Sequence, residues 1–246
     1  MKLQFRALTL LPCTALLLAV ASTSNAVAAS LSGKVIEGGT TAGVPAPGSA
    51  VYSAAACGGS AGTPGSPCSI SFTLTNPSAS ALINFGSTDD ASLFSFLTTN
   101  PSGTTNFDTV TGLGTHGGDG INNDLFQFKG TTMVTDGVYT FGHDDGLLLS
   151  FGGTNVIYQG GPTSFSTSYL CVGTGTAPMG KTCSNSSVVA PGTYAFELDY
   201  AETSGAPADL ATNLSLVTAT PEPSSLILLG TGVLAAAGAV RRRIFA

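Results

Sequence analysis

Gly137-Val138-Tyr139-Thr140-Phe141-Gly142-His143-Asp144-Asp145-Gly146-Leu147-Leu148-Leu149-Ser150-Phe151-Gly152-Gly153 sets two short β-prone runs on either side of a paired-aspartate turn. Aromatic and β-branched residues suit a pleated, half-buried surface, whereas Asp and Gly suit turns. A second stretch, Tyr194 to Tyr200, alternates strictly. Tyr194, Phe196, Leu198 and Tyr200 fall on one strand face, and Ala195, Glu197 and Asp199 on the other. Further short runs at 69–74, 125–128 and 155–158 lie between stretches rich in Gly, Ser, Thr and Pro. Long segments of 3.6-residue period are missing from the body, which argues against a βαβ architecture. The pattern predicts an all-β fold, an antiparallel β-sandwich of jelly-roll-like form.

The two ends follow other rules. Lys2 and Arg6 precede an apolar run from Ala7 to Ala21, and small residues with A-x-A-like sites follow. That order predicts a secretory signal peptide over residues 1–28. At the other end, Pro221-Glu222-Pro223 leads into an apolar run over 226–240 and then Arg241-Arg242-Arg243. The run is short for a bilayer span, which takes about twenty residues, and the arginines would hold its end on the cytoplasmic side. Apolar helices are thus expected at both ends, around a β body over 29–218. The glycine-dense stretch 112–120 suits either a linker or a loop on one sandwich, and the reading favours a single β body.

The three-part tail over 219–246 resembles the PEP-CTERM sorting signal of Gram-negative bacteria. The resemblance implies recognition by an exosortase-type membrane transpeptidase. It also implies transient anchoring in the membrane through the tail, and export to the outer surface or extracellular matrix.

Between the two ends the basic residues are Lys34, Lys129 and Lys181, against 13 acidic residues from Glu37 to Asp209. An acidic, charge-poor body argues against nucleic acid, which needs clustered Lys and Arg. It suits a bound divalent cation, because carboxylates supply hard oxygen ligands. Once Cys13 has left with the signal, Cys57, Cys68, Cys171 and Cys183 remain. An even number in an exported chain predicts disulfides, and pairing Cys57 with Cys68 and Cys171 with Cys183 brackets two Gly/Pro/Ser-rich loops. Zinc is the rival reading, with no C-x-x-C to support it.

The aspartate turn and the later run Pro191-Gly192-Thr193-Tyr194 to Glu202 together resemble the protective-antigen-type (flocculin-like) β-sandwich domain, over roughly residues 110–218. The resemblance implies that Asp144 and Asp145 hold a Ca²⁺ that binds sugar hydroxyls, with Glu202 near the position of a third ligand. Adjacent carboxylates repel, and a calcium ion, with its loose oxygen geometry, relieves that repulsion. A plain hairpin turn at Asp144-Asp145-Gly146 is the competing reading. The expected function is therefore a calcium-dependent, carbohydrate-binding, adhesin-like surface module, with glycan or exopolysaccharide as partner. The alternative is a purely structural matrix protein without a ligand site. An enzyme is not expected: His116 and His143 are the only histidines, and no Gly-x-Ser-x-Gly elbow or zinc-protease helix accompanies them. The chain has no Trp, so Tyr158, Tyr169 or Phe165 would have to stack on a sugar ring.

Overall fold

Every second residue of the longest strands points its side chain to the same interior, and the two sheets form around that shared apolar face. The computed structural model describes residues 29–76, 82–87, 92–98, 107, 109–161, 164–203 and 208–217. The signal peptide, the sorting tail and the apolar helices expected at both ends lie outside the described residues. Among the described residues, no helix is long and apolar enough to cross a membrane.

The strands in chain order are β1 (Ala29–Glu37), β2 (Cys68–Asn76), β3 (Leu82–Ser87), β4 (Thr109–Thr111), β5 (Asp124–Val134) and β6 (Gly137–His143), then β7 (Leu147–Phe151), β8 (Thr154–Gln159), β9 (Ser166–Val172), β10 (Gly192–Glu202) and β11 (Ala208–Ser215). Among the described residues one short α-helix, α1 (Leu93–Thr98), follows β3. Seven strands make one sheet in the order β4-β2-β1-β5-β10-β7-β8, and four make the other in the order β3-β11-β6-β9. Neighbouring strands in both sheets run antiparallel. The result is the all-β sandwich that the alternation predicts. The first strand is interior to its sheet, pairing with β2 on one side and β5 on the other, and the glycine-dense stretch 112–120 lies between β4 and β5, two strands of that same sheet.

Aromatic rings fill the space between the sheets. Phe128 of β5 stacks on Phe85 of β3 with centroids 4.7 Å apart and meets Phe72 of β2 edge-on at 5.8 Å. Phe96 of α1 lies 4.6 Å from Phe126 and 5.8 Å from Tyr200, so the helix closes one end of the core. A second, smaller cluster forms on the outer face of the large sheet. There the segment from Val44 to Ala54, with a 3-10 turn at Ala50–Ser53, straps across Ile36, Leu125, Leu148 and Ala201.

Both expected disulfides are present. Cys57 bonds to Cys68 with Cα atoms 4.8 Å apart, and Cys171 to Cys183 with Cα atoms 5.7 Å apart. Each closes a loop of a dozen residues or so, and such a loop contributes about 2–3 kcal/mol by restricting the unfolded chain. Replacing Cys171 and Cys183 together by Ser is expected to lower unfolding stability by about that amount in denaturant titration. Phe128→Ala, which empties the contact between the sheets, is expected to cost about 3–5 kcal/mol in the same measurement.

Candidate metal centre

The aspartate pair sits where the chain changes sheets. β6 belongs to the four-stranded sheet, whereas β7 belongs to the seven-stranded one. Asp144, Asp145 and Gly146 are therefore a corner across the edge of the sandwich, which corrects the reading of a hairpin turn. Strands joined by a hairpin would pair, but β6 pairs with β9 and β11 and β7 pairs with β10 and β8. Gly146 is needed at the corner, because a Cβ there would lie 2.3 Å from the backbone nitrogen of Val44. β10 runs beside β7 and delivers Glu202 at its own end, with the Ala201 N–H donating to the Gly146 carbonyl at 3.1 Å.

The fold thus brings together all three residues expected to hold an ion. One carboxylate oxygen from each of Asp144, Asp145 and Glu202 lies within 4.8 Å of the others. Asp145 and Glu202 are buried, and Asp144 is half-buried. Three neighbours that sequence reading passed over position them. The Tyr200 hydroxyl is 2.8 Å from Asp144 Oδ1 and 3.0 Å from Glu202 Oε2. The Thr203 backbone N–H and hydroxyl both donate to Asp145 Oδ2 at 2.7 Å. His143 is buried, and burial lowers its pKa, so the imidazole is neutral. Its Nδ1–H donates to the Asp145 carbonyl, and its Nε2 accepts from the Ser168 hydroxyl at 3.1 Å.

The hydroxyl of Tyr200 carries one proton and faces two carboxylates. It donates fully to only one of them at a time, and a cation beside the pair would balance their remaining charge. Burial above all, and the neighbouring Asp145 charge, raise the Asp144 pKa against the opposing pull of the Tyr200 hydrogen bond. Burial also raises the Tyr200 pKa, as do the charges of Glu202 and Asp144. The donor set is three carboxylates, two buried and one half-buried, which is the hard-oxygen chemistry of Ca²⁺ and fits that ion better than a softer metal. One signal in the sequence could have exposed the role of Tyr200. Glu202 lies two residues on, on the same inward face, and an acid at the end of a core-facing row needs a partner.

A second acidic cluster lies at the ends of β1 and β5. Glu37 is almost fully buried, and its Oε2 accepts the Gly62 N–H at 2.9 Å. His116 Nδ1 lies 2.7 Å from Asp119 Oδ2 and 3.6 Å from Glu37 Oε2, and its Nε2 lies 3.2 Å from the Gly58 carbonyl. Both ring nitrogens thus face acceptors, and the Gly58 and Asp119 hydrogen bonds raise the His116 pKa, so the arrangement is that of an imidazolium tie. The Cys57 and Cys68 sulfurs beside Glu37 are bonded to each other and offer no thiolate to zinc. Next to this cluster, Asp124 accepts N–H groups from Gly38 at 3.3 Å and Asn122 at 3.1 Å.

The sequence profile of the PEP-CTERM protein-sorting motif matches residues 219–243. The motif marks the chain as an exported protein with a C-terminal membrane anchor. Three solved structures are similar to the body. The PA14 domain of the MpAFP antifreeze protein has 17% identity and a TM-score of 0.44, covering 79% of this chain and 84% of that one. A PA14 sugar-binding domain from an RTX adhesin has 16% identity and a TM-score of 0.43, covering 76% and 90%. The A domain of epithelial adhesin 6 from Candida glabrata, solved with Galb1-3GlcNAc, has 15% identity and a TM-score of 0.32, covering 78% and 80%. No curated protein sequence matches the chain.

The buried acid Asp124 gives a pH signature. Burial is the main cause that pushes its pKa from 3.8 up to about 7, with the Glu37 and Asp119 charges adding to it. The folded chain then holds a proton that the unfolded chain releases at lower pH. Stability from this group is complete below the unfolded pKa and is lost as pH rises through the folded one. Thermal melts without divalent ions should therefore show stability falling between about pH 4 and 7, with a shallower fall in Asp124→Asn. An unchanged slope in that variant would contradict the assignment.

Proposed function

We propose that the exported chain is a calcium-dependent, carbohydrate-binding, adhesin-like module of the cell surface or extracellular matrix, without enzymatic activity. The observation that carries this reading is the convergence of Asp144, Asp145 and Glu202 at the edge of the sandwich, around a tyrosine hydroxyl with one proton to share. A Ca²⁺ held there takes six to eight oxygens, and with one oxygen from each of the three carboxylates, positions remain for vicinal hydroxyls of a glycan. The ring of Phe165 lies over Gly142, close to the corner, and is 57% exposed, which gives a sugar ring an apolar face to rest on. The sorting tail supports delivery by an exosortase-type transpeptidase, in keeping with a Gram-negative envelope.

Calorimetry on the full-length chain, in a detergent without a sugar headgroup, tests the ion. Calcium is expected to bind the parent chain and not the Asp144→Ala/Asp145→Ala double variant, provided that circular dichroism shows the variant folded. A parent that binds no calcium and retains no glycan on an array would favour a purely structural matrix protein. Phe165→Ala is expected to leave calcium binding intact and to weaken glycan binding about five- to tenfold, the worth of roughly 1 kcal/mol of apolar contact.

A further inference from the structure

A groove of about 630 Å³ lies on the outer face of the seven-stranded sheet, away from the aspartate corner. That volume is within the range of roughly 300–1,000 Å³ typical of small-molecule sites. Its floor comes from outward-facing positions of β5 and β10, where Gln127, Glu197 and Asp199 lie side by side. Its wall comes from the strap, through Tyr52 and the turn at Pro47 and Gly48. Ser150 and Asn155 complete the polar rim, the Ser150 hydroxyl donating to Asn155 Oδ1 at 2.6 Å.

Most polar groups of the groove are engaged within the protein. Gln127 Nε2 donates to Glu197 Oε1 at 3.1 Å and to Asp199 Oδ1 at 3.3 Å. Lys129 pairs with Glu197 at 2.8 Å, and Lys34 Nζ donates to the Tyr52 carbonyl at 2.7 Å. Asp199 is the exception. It is 1% exposed and lines the groove, and its Oδ2 has no hydrogen-bond partner. The Tyr52 hydroxyl lies close enough to Asp199 to lower its pKa, but a hydroxyl has one proton and this one is given to the Pro45 carbonyl at 3.0 Å. A buried acceptor without a partner carries the full cost of its desolvation, and a hydroxyl group from outside removes that cost.

Charge narrows the class of ligand. Two lysines and two carboxylates line the groove, so it has no excess of either sign to attract a polyanion or a polycation. Burial, followed by the Glu197 charge, also pushes the Asp199 pKa up to about 7, so near neutrality this carboxyl both gives and accepts hydrogen bonds. Amide, hydroxyl and carboxyl groups beside a tyrosine ring match a neutral, hydroxyl-rich ring compound.

We propose that this groove is a second, calcium-independent binding site for a neutral saccharide unit, with Asp199 and Gln127 meeting hydroxyls at the floor and Tyr52 in contact with the ring. The site goes beyond the calcium reading and does not depend on it. Asp199 lies three strand residues, about 10 Å, from Glu202 along β10 and faces the opposite side of the sheet from Tyr200. A chain with both sites would hold two glycan strands at once, which is what cohesion of a matrix requires.

The test is saturation-transfer NMR and calorimetry on the full-length chain, in a detergent without a sugar headgroup and with excess EDTA. The probes are glucose, galactose, mannose and N-acetylglucosamine with their disaccharides. At least one is expected to bind in EDTA. Asp199→Asn should weaken that binding by about tenfold or more. Asn155→Trp, placed at an exposed rim position that does not disturb the core, should abolish it. No saccharide binding in EDTA would overturn the proposal, as would binding that both variants leave unchanged. Binding in EDTA by a chain that ignores calcium would refute the calcium reading alone.

Discussion

Tyr200 belongs to both the core and the edge of this sandwich, and the rest of the site depends on that double role. Its ring is fully buried against Phe96 and Phe126, so its position is set by the packing between the sheets. Its hydroxyl reaches the end of the core, between Asp144 and Glu202. The carboxylates are therefore registered against the packed core, although two of them sit on a corner between strands. Thr203 and His143 fix Asp145 from the other side, through its carboxylate and its carbonyl respectively. A ligand site preorganised in this way loses little freedom when it binds.

The same chain keeps several acids out of water. Asp124, Asp144 and Asp199 all have pKa values raised chiefly by burial, at three separate places in the sandwich. Buried acids oppose folding when ionised unless something compensates them. Near Asp124 the compensation is backbone N–H groups, with the His116 imidazolium close by at Glu37 and Asp119. At Asp144 it is Tyr200, and at Asp199 the amide of Gln127 reaches one oxygen and leaves the other. These differences separate a structural tie from the proposed ion site and the proposed ligand groove.

Much of this was legible in the sequence. The strict alternation from Tyr194 to Tyr200 marks the strand and its inward face, and the bracketing of two Gly-rich loops gives both disulfide pairings. The Asp144-Asp145-Gly146 turn and the acid at Glu202 are visible as local chemistry. The change of sheet at that turn is not, because pairing of β6 with β9 and of β7 with β10 is set by residues 23 to 53 positions away. Asp199 shows the same limit. Its outward phase on β10 predicts exposure, but the strap from Val44 to Ala54, more than 140 positions earlier, covers that face. His116 reads as a lone histidine until the fold places Glu37 and Gly58 beside it.

The proposed calcium ion would sit within reach of the Tyr200 hydroxyl, which lies between Asp144 and Glu202. Terbium is a luminescent stand-in for calcium, and its emission is excited through a nearby aromatic ring. The chain has no tryptophan to compete for that excitation. Terbium titrated into the full-length chain should give tyrosine-excited emission that calcium quenches by displacement and that Tyr200→Phe removes. Emission that survives Tyr200→Phe, or none in the parent chain, would contradict the claim.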